Sequence, residues 1–188
     1  MRRFGSFLSL FACILALAIY ACKPKEKAQS VAKPKNDKET EKVVRTSDNT
    51  VSDLRHKLKV SEKEMRSNKL YHFSEEWYGV PYRYGGCDKR GVDCSCFANL
   101  LYENVYSKTL SRSANEIFKS CNQLSLGELQ QGDLLFFKIG GNTISHVAVF
   151  LKDSYFIHSS TSKGVIVNSL EEAYYKKYFF CAGKLRKI

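Results

Sequence analysis

The feature that most constrains the fold is the uneven distribution of apolar and aromatic residues along this 188-residue chain. Residues 23–66 are rich in Lys, Glu, Ser, Asp and Asn, and they hold no apolar run long enough to build a core. Aromatic residues become frequent from about Lys69 onward. We therefore predict a charged flexible linker over residues 23–66, with weak helical spacing over residues 51–65, and one folded domain over residues 67–188.

The first 22 residues have the layout of a secretory signal peptide. Arg2 and Arg3 precede an apolar stretch from Phe7 to Ile19, which is shorter than the roughly 20 residues of a membrane-spanning helix. We therefore predict export to the cell envelope. An uncleaved N-terminal anchor is the alternative.

The end of this segment resembles the lipobox of bacterial lipoproteins. Residues 19–22 read Ile-Tyr-Ala-Cys, and in such proteins the cysteine is acylated and becomes the new N-terminus. The resemblance implies lipidation of Cys22 and a membrane anchor that holds the protein facing the periplasm or cell wall. Ordinary signal peptidase cleavage near Ala21 remains the alternative.

The positive charge is concentrated in the N-terminal part of the chain. Of the net charge of +11, residues 1–73 carry +8 and residues 74–188 carry only +3. A nucleic-acid-binding domain would have basic residues clustered on its folded face, together with aromatic neighbours. The charge distribution therefore argues against a nucleic-acid partner.

Seven cysteines are present, and the first two fall inside or at the end of the predicted signal peptide. Five remain, so at least one thiol is expected to be free even in an oxidising compartment. The spacing leaves the pairing of Cys87, Cys96, Cys121 and Cys181 open. For Cys87 and Cys121 we predict a structural role, as a disulfide or as packed thiols.

Local signals predict helices first and strands afterwards. Leu70–Trp77 is predicted to be a short helix, a second helix begins at Cys94 with Asp93 as its N-cap, and a third spans Ser113–Ser120. The predicted strands are Leu134–Phe137, Ser145–Leu151, Tyr155–Ser159 and Val165–Asn168. Short strands joined by tight turns form antiparallel sheets, so the predicted fold class is α+β.

Cys94 is a candidate nucleophile because of its place in the first turn of the predicted helix. Unpaired backbone N–H groups at a helix N-terminus favour the thiolate, so we expect a lowered pKa. The base must come from elsewhere in the fold. His56 lies in the predicted linker and His72 in the first helix, which leaves His146 and His158.

The relative placement of these two histidines follows from strand parity. A three-residue turn at residues 152–154 puts residue 146 opposite 160 and residue 148 opposite 158. His146 and His158 then share one face as diagonal neighbours, with Cβ atoms roughly 7 to 8 Å apart or less. A two-residue turn would put them on opposite faces, so we predict an odd loop length.

A zinc site is the alternative chemistry for these residues. Cys94, Cys96, His146 and His158 are of the types that bind zinc. Paired cysteine ligands are more usually separated by two to four intervening residues, whereas only one residue separates Cys94 from Cys96. Side chains two positions apart on a helix also diverge by about 200°. We therefore favour a nucleophile with a base, and we predict neither a metal nor a cofactor.

Five segments resemble the ordered signature blocks of the NlpC-type cysteine peptidases, over about residues 70–188. The blocks are residues 79–86, 91–97, 132–137, 145–150 and 156–159. The resemblance implies a papain-like fold and a cysteine-type endopeptidase that cuts peptide bonds in peptidoglycan stems or cross-links, often beside diaminopimelate. Two alternatives stay open: a non-catalytic peptidoglycan-binding lipoprotein and a hydrolase of free murein peptides.

The resemblance also implies residue roles. Cys94 would attack, His146 would take its proton, and His158 would orient the imidazole of His146. Tyr82, together with Asp93 and Ser95, would bind the substrate peptide or its amine. The chain departs from the family pattern at Cys96, where glycine is common. The oligomeric state cannot be predicted from the sequence.

Overall fold

The structure is a computed structural model that describes residues 54–186. The predicted signal peptide over residues 1–22, the predicted lipidation site Cys22 and the predicted linker up to residue 53 lie outside the described residues. No helix within the described part is both long and apolar enough to cross a bilayer.

Helices precede most of the strands along the chain, as the α+β prediction requires. Residues 54–58 are helical, and the helices that follow are α1 (Glu62–Ser67), α2 (Lys69–Trp77), α3 (Cys94–Tyr106), α4 (Ala114–Lys119) and α5 (Ala173–Tyr178). The strands are β1 (Cys87–Asp88), β2 (Gly91–Val92), β3 (Cys121–Leu124), β4 (Leu134–Phe137), β5 (His146–Lys152), β6 (Tyr155–Ser160), β7 (Gly164–Ser169) and β8 (Phe179–Leu185).

Six of these strands form one antiparallel sheet in the order β3-β8-β4-β5-β6-β7, and β1 pairs with β2 separately. Both faces of the large sheet are covered. Phe136 and Val147 point into the cluster that contains the apolar side of α3, whereas Phe137 and Ala148 point into a second cluster that contains Tyr175 of α5. This two-sided burial explains why β4 reads as an uninterrupted apolar run.

The helix boundaries follow the predicted capping signals. The side chain of Asp93 accepts a hydrogen bond from Cys96 N at 2.7 Å, which makes it the N-cap of α3. Ser113 accepts from Glu116 N at 3.2 Å at the start of α4. The helices predicted at Cys94 and at residues 113–120 are therefore confirmed.

The predicted linker is wrong for residues 54–66. Leu54, Leu58 and Met65 are buried in the main core, with 0%, 0% and 1% of their surface exposed. The charged residues between them are exposed or half-exposed. The segment therefore has a one-sided apolar face that its average composition does not reveal. In the described part of the chain, residues 54–66 belong to the folded domain that was predicted to begin at residue 67.

The β5–β6 hairpin has the predicted register but not the predicted turn. Val149 pairs with Ile157 and Phe150 with Phe156, as expected, yet the last pair is Lys152 with Tyr155. The loop is thus two residues long, and a bulge between Phe150 and Lys152 adds the residue that restores the parity. The two histidines share a face because of the bulge.

Cys87 and Cys96 form a disulfide, with their Cα atoms 5.5 Å apart. The bond ties strand β1 to the first turn of α3, two residues after Cys94. Cys94, Cys121 and Cys181 are free thiols. Cys96 is therefore paired. Of the two structural roles predicted for Cys87 and Cys121, Cys87 is in a disulfide and Cys121 is a packed thiol.

Removing this disulfide is expected to lower the free energy of unfolding by about 2 to 3 kcal/mol, because a loop of roughly ten residues is no longer closed in the unfolded chain. Urea denaturation of a Cys87→Ser/Cys96→Ala variant measures the change. Cys181→Ser, which removes a half-buried free thiol, is the matched control. Equal stability of the double variant and this control would contradict a stabilising role for the bond.

Candidate active site

Cys94 begins α3, and only 8% of its surface is exposed. Burial raises the pKa of its thiol above the ordinary value of 9.0, and it outweighs the backbone N–H groups of Val147, Ser95 and Cys94 itself, which favour the thiolate. The lowered pKa expected from the helix N-terminus is therefore wrong. Cys94 is therefore a neutral thiol at pH 7, and a nucleophilic role would require a base.

A candidate for such a base is close in space. The contact between Val147 N–H and Cys94 brings the thiol to the start of β5, where His146 precedes Val147. Burial and the neighbouring His158 hold the pKa of His146 well below its ordinary value of 6.5. His146 is therefore a neutral imidazole that can accept a proton at pH 7.

The two histidines are in direct contact, as parity predicts. His146 Nε2 lies 2.8 Å from His158 Nδ1, and the ring planes are perpendicular. Burial lowers the pKa of His158 to about 4, so this imidazole is also neutral at pH 7. Because Nε2 of His146 is engaged by His158, Nδ1 is the nitrogen left for proton transfer.

Three further residues belong to the surroundings of His158, and sequence reasoning missed all of them as site residues. Asn168 Oδ1 lies 3.0 Å from His158 Nε2, the Tyr175 hydroxyl lies 3.1 Å from the same nitrogen, and Glu172 accepts hydrogen bonds from Asn168 Nδ2. Parity could have found Asn168, because it stands two residues beyond Ile166, the partner of His158. No sequence signal pointed to Glu172 or Tyr175.

The Cys94 thiol and the two histidines open on one cavity of about 630 Å³. Cys94, His146, His158 and Tyr82 all line it. The rest of the wall carries polar and aromatic side chains together with two aliphatic ones: Ile139, Ser145, Ser160, Thr161, Ser162, Lys163, Ile166, Asn168, Glu172, Tyr174 and Tyr175. A site of this size and polarity can take a short peptide.

Tyr82 reaches the cavity because its segment is hydrogen-bonded to both β7 and β2. Gly79 N donates to Val165 O and Val165 N donates to Val80 O, each at 2.8 Å, so the segment runs along the edge of β7, and Val92 N of β2 donates to Pro81 O at 3.0 Å. Gly164 has a φ of +71°, and any side chain there would collide with the Val80 carbonyl. The close approach therefore requires glycine.

Asp93 and Ser95 face away from the cavity. Ser95 Oγ donates to Asp93 Oδ1 at 2.8 Å and to the Arg112 carbonyl at 2.9 Å, and Arg112 Nη2 lies 3.2 Å from Asp93 Oδ2. Both residues are buried, and neither lines the cavity. Their contacts hold the first turn of α3.

A hydrogen bond beside the cavity joins the large sheet to the residues that lead into α3. Ser159, which follows His158 in β6, is fully buried and donates from its hydroxyl to the Val92 carbonyl at 2.7 Å. Val92 leads directly into Asp93 and Cys94. This bond fixes β6, the strand of His158, against the start of α3.

The zinc alternative loses one of its four ligands, because the sulfur of Cys96 is bonded to Cys87. Within residues 54–186, no group of three or more His, Cys, Asp and Glu residues is arranged to hold a metal ion. The arrangement that remains is a thiol beside a neutral imidazole that is itself held by a second imidazole. Such a set can perform nucleophilic acyl transfer.

Comparison with known proteins gives the family. The sequence profile of the NlpC/P60 family matches residues 79–184, more than half of the chain. The chain belongs to the NlpC/P60 family. The sequence-based assignment to the NlpC-type cysteine peptidases is thereby confirmed, as is the α+β papain-like fold class that it implied.

Individual proteins similar to this chain are named as endopeptidases or as NlpC/P60 family members. The probable endopeptidase NlpC of Escherichia coli K12 is 40% identical over 112 residues, 59% of this chain and 73% of that protein. The murein DD-endopeptidase MepS/murein LD-carboxypeptidase of the same strain is 38% identical over 104 residues, 55% of each chain. The crystal structure of an NlpC/P60 family protein from Bacillus cereus has a TM-score of 0.58 at 27% identity, over 62% of this chain and 39% of that one. This chain thus matches about half of MepS and less of the Bacillus protein.

The two buried imidazoles should make this NlpC/P60 domain acid-sensitive. The folded-state pKa of His158, about 4, lies below the ordinary value of 6.5, so between these pH values only the unfolded chain takes up a proton there. The free energy of unfolding should therefore fall as the pH drops from 6.5 towards 4, by on the order of 3 kcal/mol for His158.

Urea denaturation at pH 7 and pH 4.5 tests this dependence. His158→Asn removes the titrating group, so its stability should change less with pH than that of the wild type. His72→Asn, which removes a half-exposed histidine of α2, should keep the wild-type dependence. If His158→Asn lost as much stability between pH 7 and 4.5 as the wild type, the lowered pKa of His158 would not be the cause of the acid sensitivity.

Proposed function

We propose that this protein is a lipid-anchored cysteine peptidase of the bacterial cell envelope that hydrolyses peptide bonds in peptidoglycan stems or cross-links. The observation that carries the proposal is the 2.8 Å bond between His146 Nε2 and His158 Nδ1 in the cavity that also holds Cys94. A binding protein has no need of a buried, mutually oriented pair of neutral imidazoles beside a thiol. The relatives named as murein endopeptidases support peptidoglycan as the substrate.

The proposed reaction begins with proton transfer from the Cys94 thiol to His146 Nδ1 as the sulfur attacks the peptide carbonyl. His158 holds the other side of the His146 ring, so the imidazole stays aimed at the sulfur while it becomes charged. The backbone N–H of Cys94, at the start of α3, is a donor for the oxyanion of the tetrahedral intermediate.

Collapse of this intermediate breaks the C–N bond, and His146 returns its proton to the leaving amine. A thioester between Cys94 and the acyl part of the substrate remains. Water then attacks the thioester carbonyl while His146 takes a proton from it, and the thiolate leaves and is reprotonated. The products are a free amine and a free carboxylate.

Substrate recognition is proposed to involve Tyr82. Burial raises the pKa of its hydroxyl, and the nearby Cys94 raises it further, so the phenol stays neutral beside the nucleophile at pH 7. Asp93 and Ser95 would contribute from behind the first turn of α3. Their mutual hydrogen bond and the ion pair with Arg112 would have to open or shift for a substrate amine to reach them.

Anchoring through acylated Cys22 would place the domain on a membrane facing the periplasm or cell wall. The proposal rests on the apolar segment and the Ile-Tyr-Ala-Cys sequence at residues 19–22. Metabolic labelling with an alkyne fatty acid should mark the wild type and not Cys22→Ala. Equal labelling of the two would exclude this acylation site.

The activity is tested by incubating the full chain and its Cys94→Ala variant with purified sacculi, followed by mass spectrometry of the peptides. New fragments from the wild type alone would identify the hydrolysed bond. If neither protein releases fragments and both bind sacculi, the chain is a non-catalytic peptidoglycan-binding protein. If sacculi stay intact but soluble muropeptides are cut, it is a hydrolase of free murein peptides.

A further inference from the structure

The hydrogen bonds behind the two histidines form a chain with a definite direction that ends on a carboxylate. From His146 the contacts run to His158, then to Asn168, then to Glu172. We propose that Glu172, acting through Asn168, sets the tautomers of both imidazoles and thereby leaves Nδ1 of His146 unprotonated towards Cys94. The proposal rests on the roles of Cys94 and His146 proposed above, and it makes Asn168 and Glu172 positioning residues.

Glu172 fixes the donor-to-acceptor order of these hydrogen bonds, because a carboxylate only accepts hydrogen bonds. Its Oε1 accepts from Ser169 N at 2.8 Å, and Oε1 and Oε2 accept from Asn168 Nδ2 at 2.9 and 2.8 Å. The amide nitrogen of Asn168 must therefore point to Glu172. Its oxygen, Oδ1, points to His158.

The same donor-to-acceptor order then determines which nitrogen of each imidazole ring carries the hydrogen. Asn168 Oδ1 accepts, so His158 Nε2, 3.0 Å away, carries the hydrogen and His158 Nδ1 does not. The hydrogen between the two rings must then sit on His146 Nε2. A neutral imidazole carries one N–H, so His146 Nδ1 has the free lone pair that a base needs.

Tyr175 does not set this direction. Its buried hydroxyl lies 3.1 Å from His158 Nε2 and 3.2 Å from Asn168 Oδ1. A hydroxyl both donates and accepts, so it can satisfy these two neighbours with the chain running either way. Glu172 is therefore the member of the chain that distinguishes the two directions.

Glu172→Gln tests the proposal because it removes one acceptor and adds a donor at nearly constant shape. The carbonyl of the introduced glutamine is retained by Ser169 N–H in the place of Oε1. Its new NH₂ group then replaces Oε2, 2.8 Å from the NH₂ group of Asn168, and opposes the one contact that remains, the 2.9 Å contact to the carbonyl. The Asn168 amide rotates to avoid two facing donors, and the hydrogens along the chain reverse. His146 Nδ1 then carries a hydrogen and cannot take one from Cys94.

Two readouts of the full chain follow. The ¹⁵N chemical shifts of the ring nitrogens, which separate protonated from unprotonated nitrogen, should exchange between Nδ1 and Nε2 of His146 in the variant. The kcat for peptide hydrolysis should fall about 10- to 100-fold with little change in KM, since the wrong tautomer cannot act as the base. Glu171→Gln, an adjacent and largely exposed glutamate, is the matched control and should change neither.

The double variant Asn168→Asp/Glu172→Gln should restore the wild-type pattern. The carboxylate introduced at position 168 accepts both from His158 and from the new amide at position 172. His158 therefore donates to position 168 as in the wild type, and only the donor and acceptor roles of positions 168 and 172 are exchanged. Asn168→Asp alone places a second carboxyl group against Glu172, and the two groups share one proton between their facing oxygens. The other oxygen of the new group still accepts from His158, so the wild-type ring pattern should be retained even if Glu172→Gln fails to fold.

Wild-type tautomers in a folded Glu172→Gln variant, or an altered pattern in Asn168→Asp, would overturn the proposal. The NMR readout does not depend on hydrolysis, so the chain direction is decided even if peptidoglycan proves not to be the substrate.

Discussion

Replacing His146 by alanine is expected to lower kcat for peptide hydrolysis by about 10³-fold at pH 7, with little change in KM. Burial raises the pKa of Cys94, so almost no thiolate exists at neutral pH without a base. His146 is the neutral imidazole adjacent to it. Steady-state kinetics on soluble muropeptides measures the effect.

The size of this loss should depend on pH, which distinguishes a base from a merely structural residue. As the pH rises past the raised pKa of Cys94, the thiolate forms without help, and the deficit of His146→Ala should shrink. His72→Ala, on the exposed face of α2, is the matched control and should keep wild-type kinetics. A deficit of constant size from pH 6 to 10 would contradict the role of His146 as the base.

Leu58→Ala is expected to lower the free energy of unfolding by about 2 to 5 kcal/mol, the range for truncating a fully buried leucine. Leu58 is 0% exposed and belongs to the main core. For a domain of this size such a loss is a large part of the total stability. Urea denaturation of the full chain measures it.

Lys63→Ala is the control for this prediction, because Lys63 is an exposed residue of α1 in the same segment. Its effect should stay within about 0.5 kcal/mol of the wild type. If Leu58→Ala were as stable as Lys63→Ala, residues 54–66 would be a linker after all, and the domain would begin near residue 67.

The main features of the site could be predicted from the sequence because they follow from local rules. Asp93 is an N-cap, so Cys94 had to begin a helix, and strand parity brought His146 and His158 to one face. The two histidines share this face although the β5–β6 turn differs from the predicted one. The turn has two residues, and the bulge between Phe150 and Lys152 supplies the odd residue.

Other features depend on tertiary contacts that no local pattern records. Tyr175 reaches His158, and Glu172 reaches Asn168, only because α5 and the residue before it pack over that face of the sheet. The pairing of Cys87 with Cys96 depends on the short β1–β2 hairpin lying against α3. The pKa of Cys94 was predicted in the wrong direction because burial, which the sequence does not give, outweighs the helix N-terminus.

The central claim is that Cys94 is the nucleophile, and a stem peptide that carries a chloromethyl ketone at the scissile carbonyl tests it most directly. Cys121 and Cys181 are internal controls, because burial raises the pKa of their thiols to about 12 and about 11. Mass spectrometry should find one adduct per chain, on Cys94, blocked by excess unmodified peptide and much slower in His146→Ala. Labelling of Cys121 or Cys181 instead, or equal labelling of the wild type and Cys94→Ala, would contradict the claim.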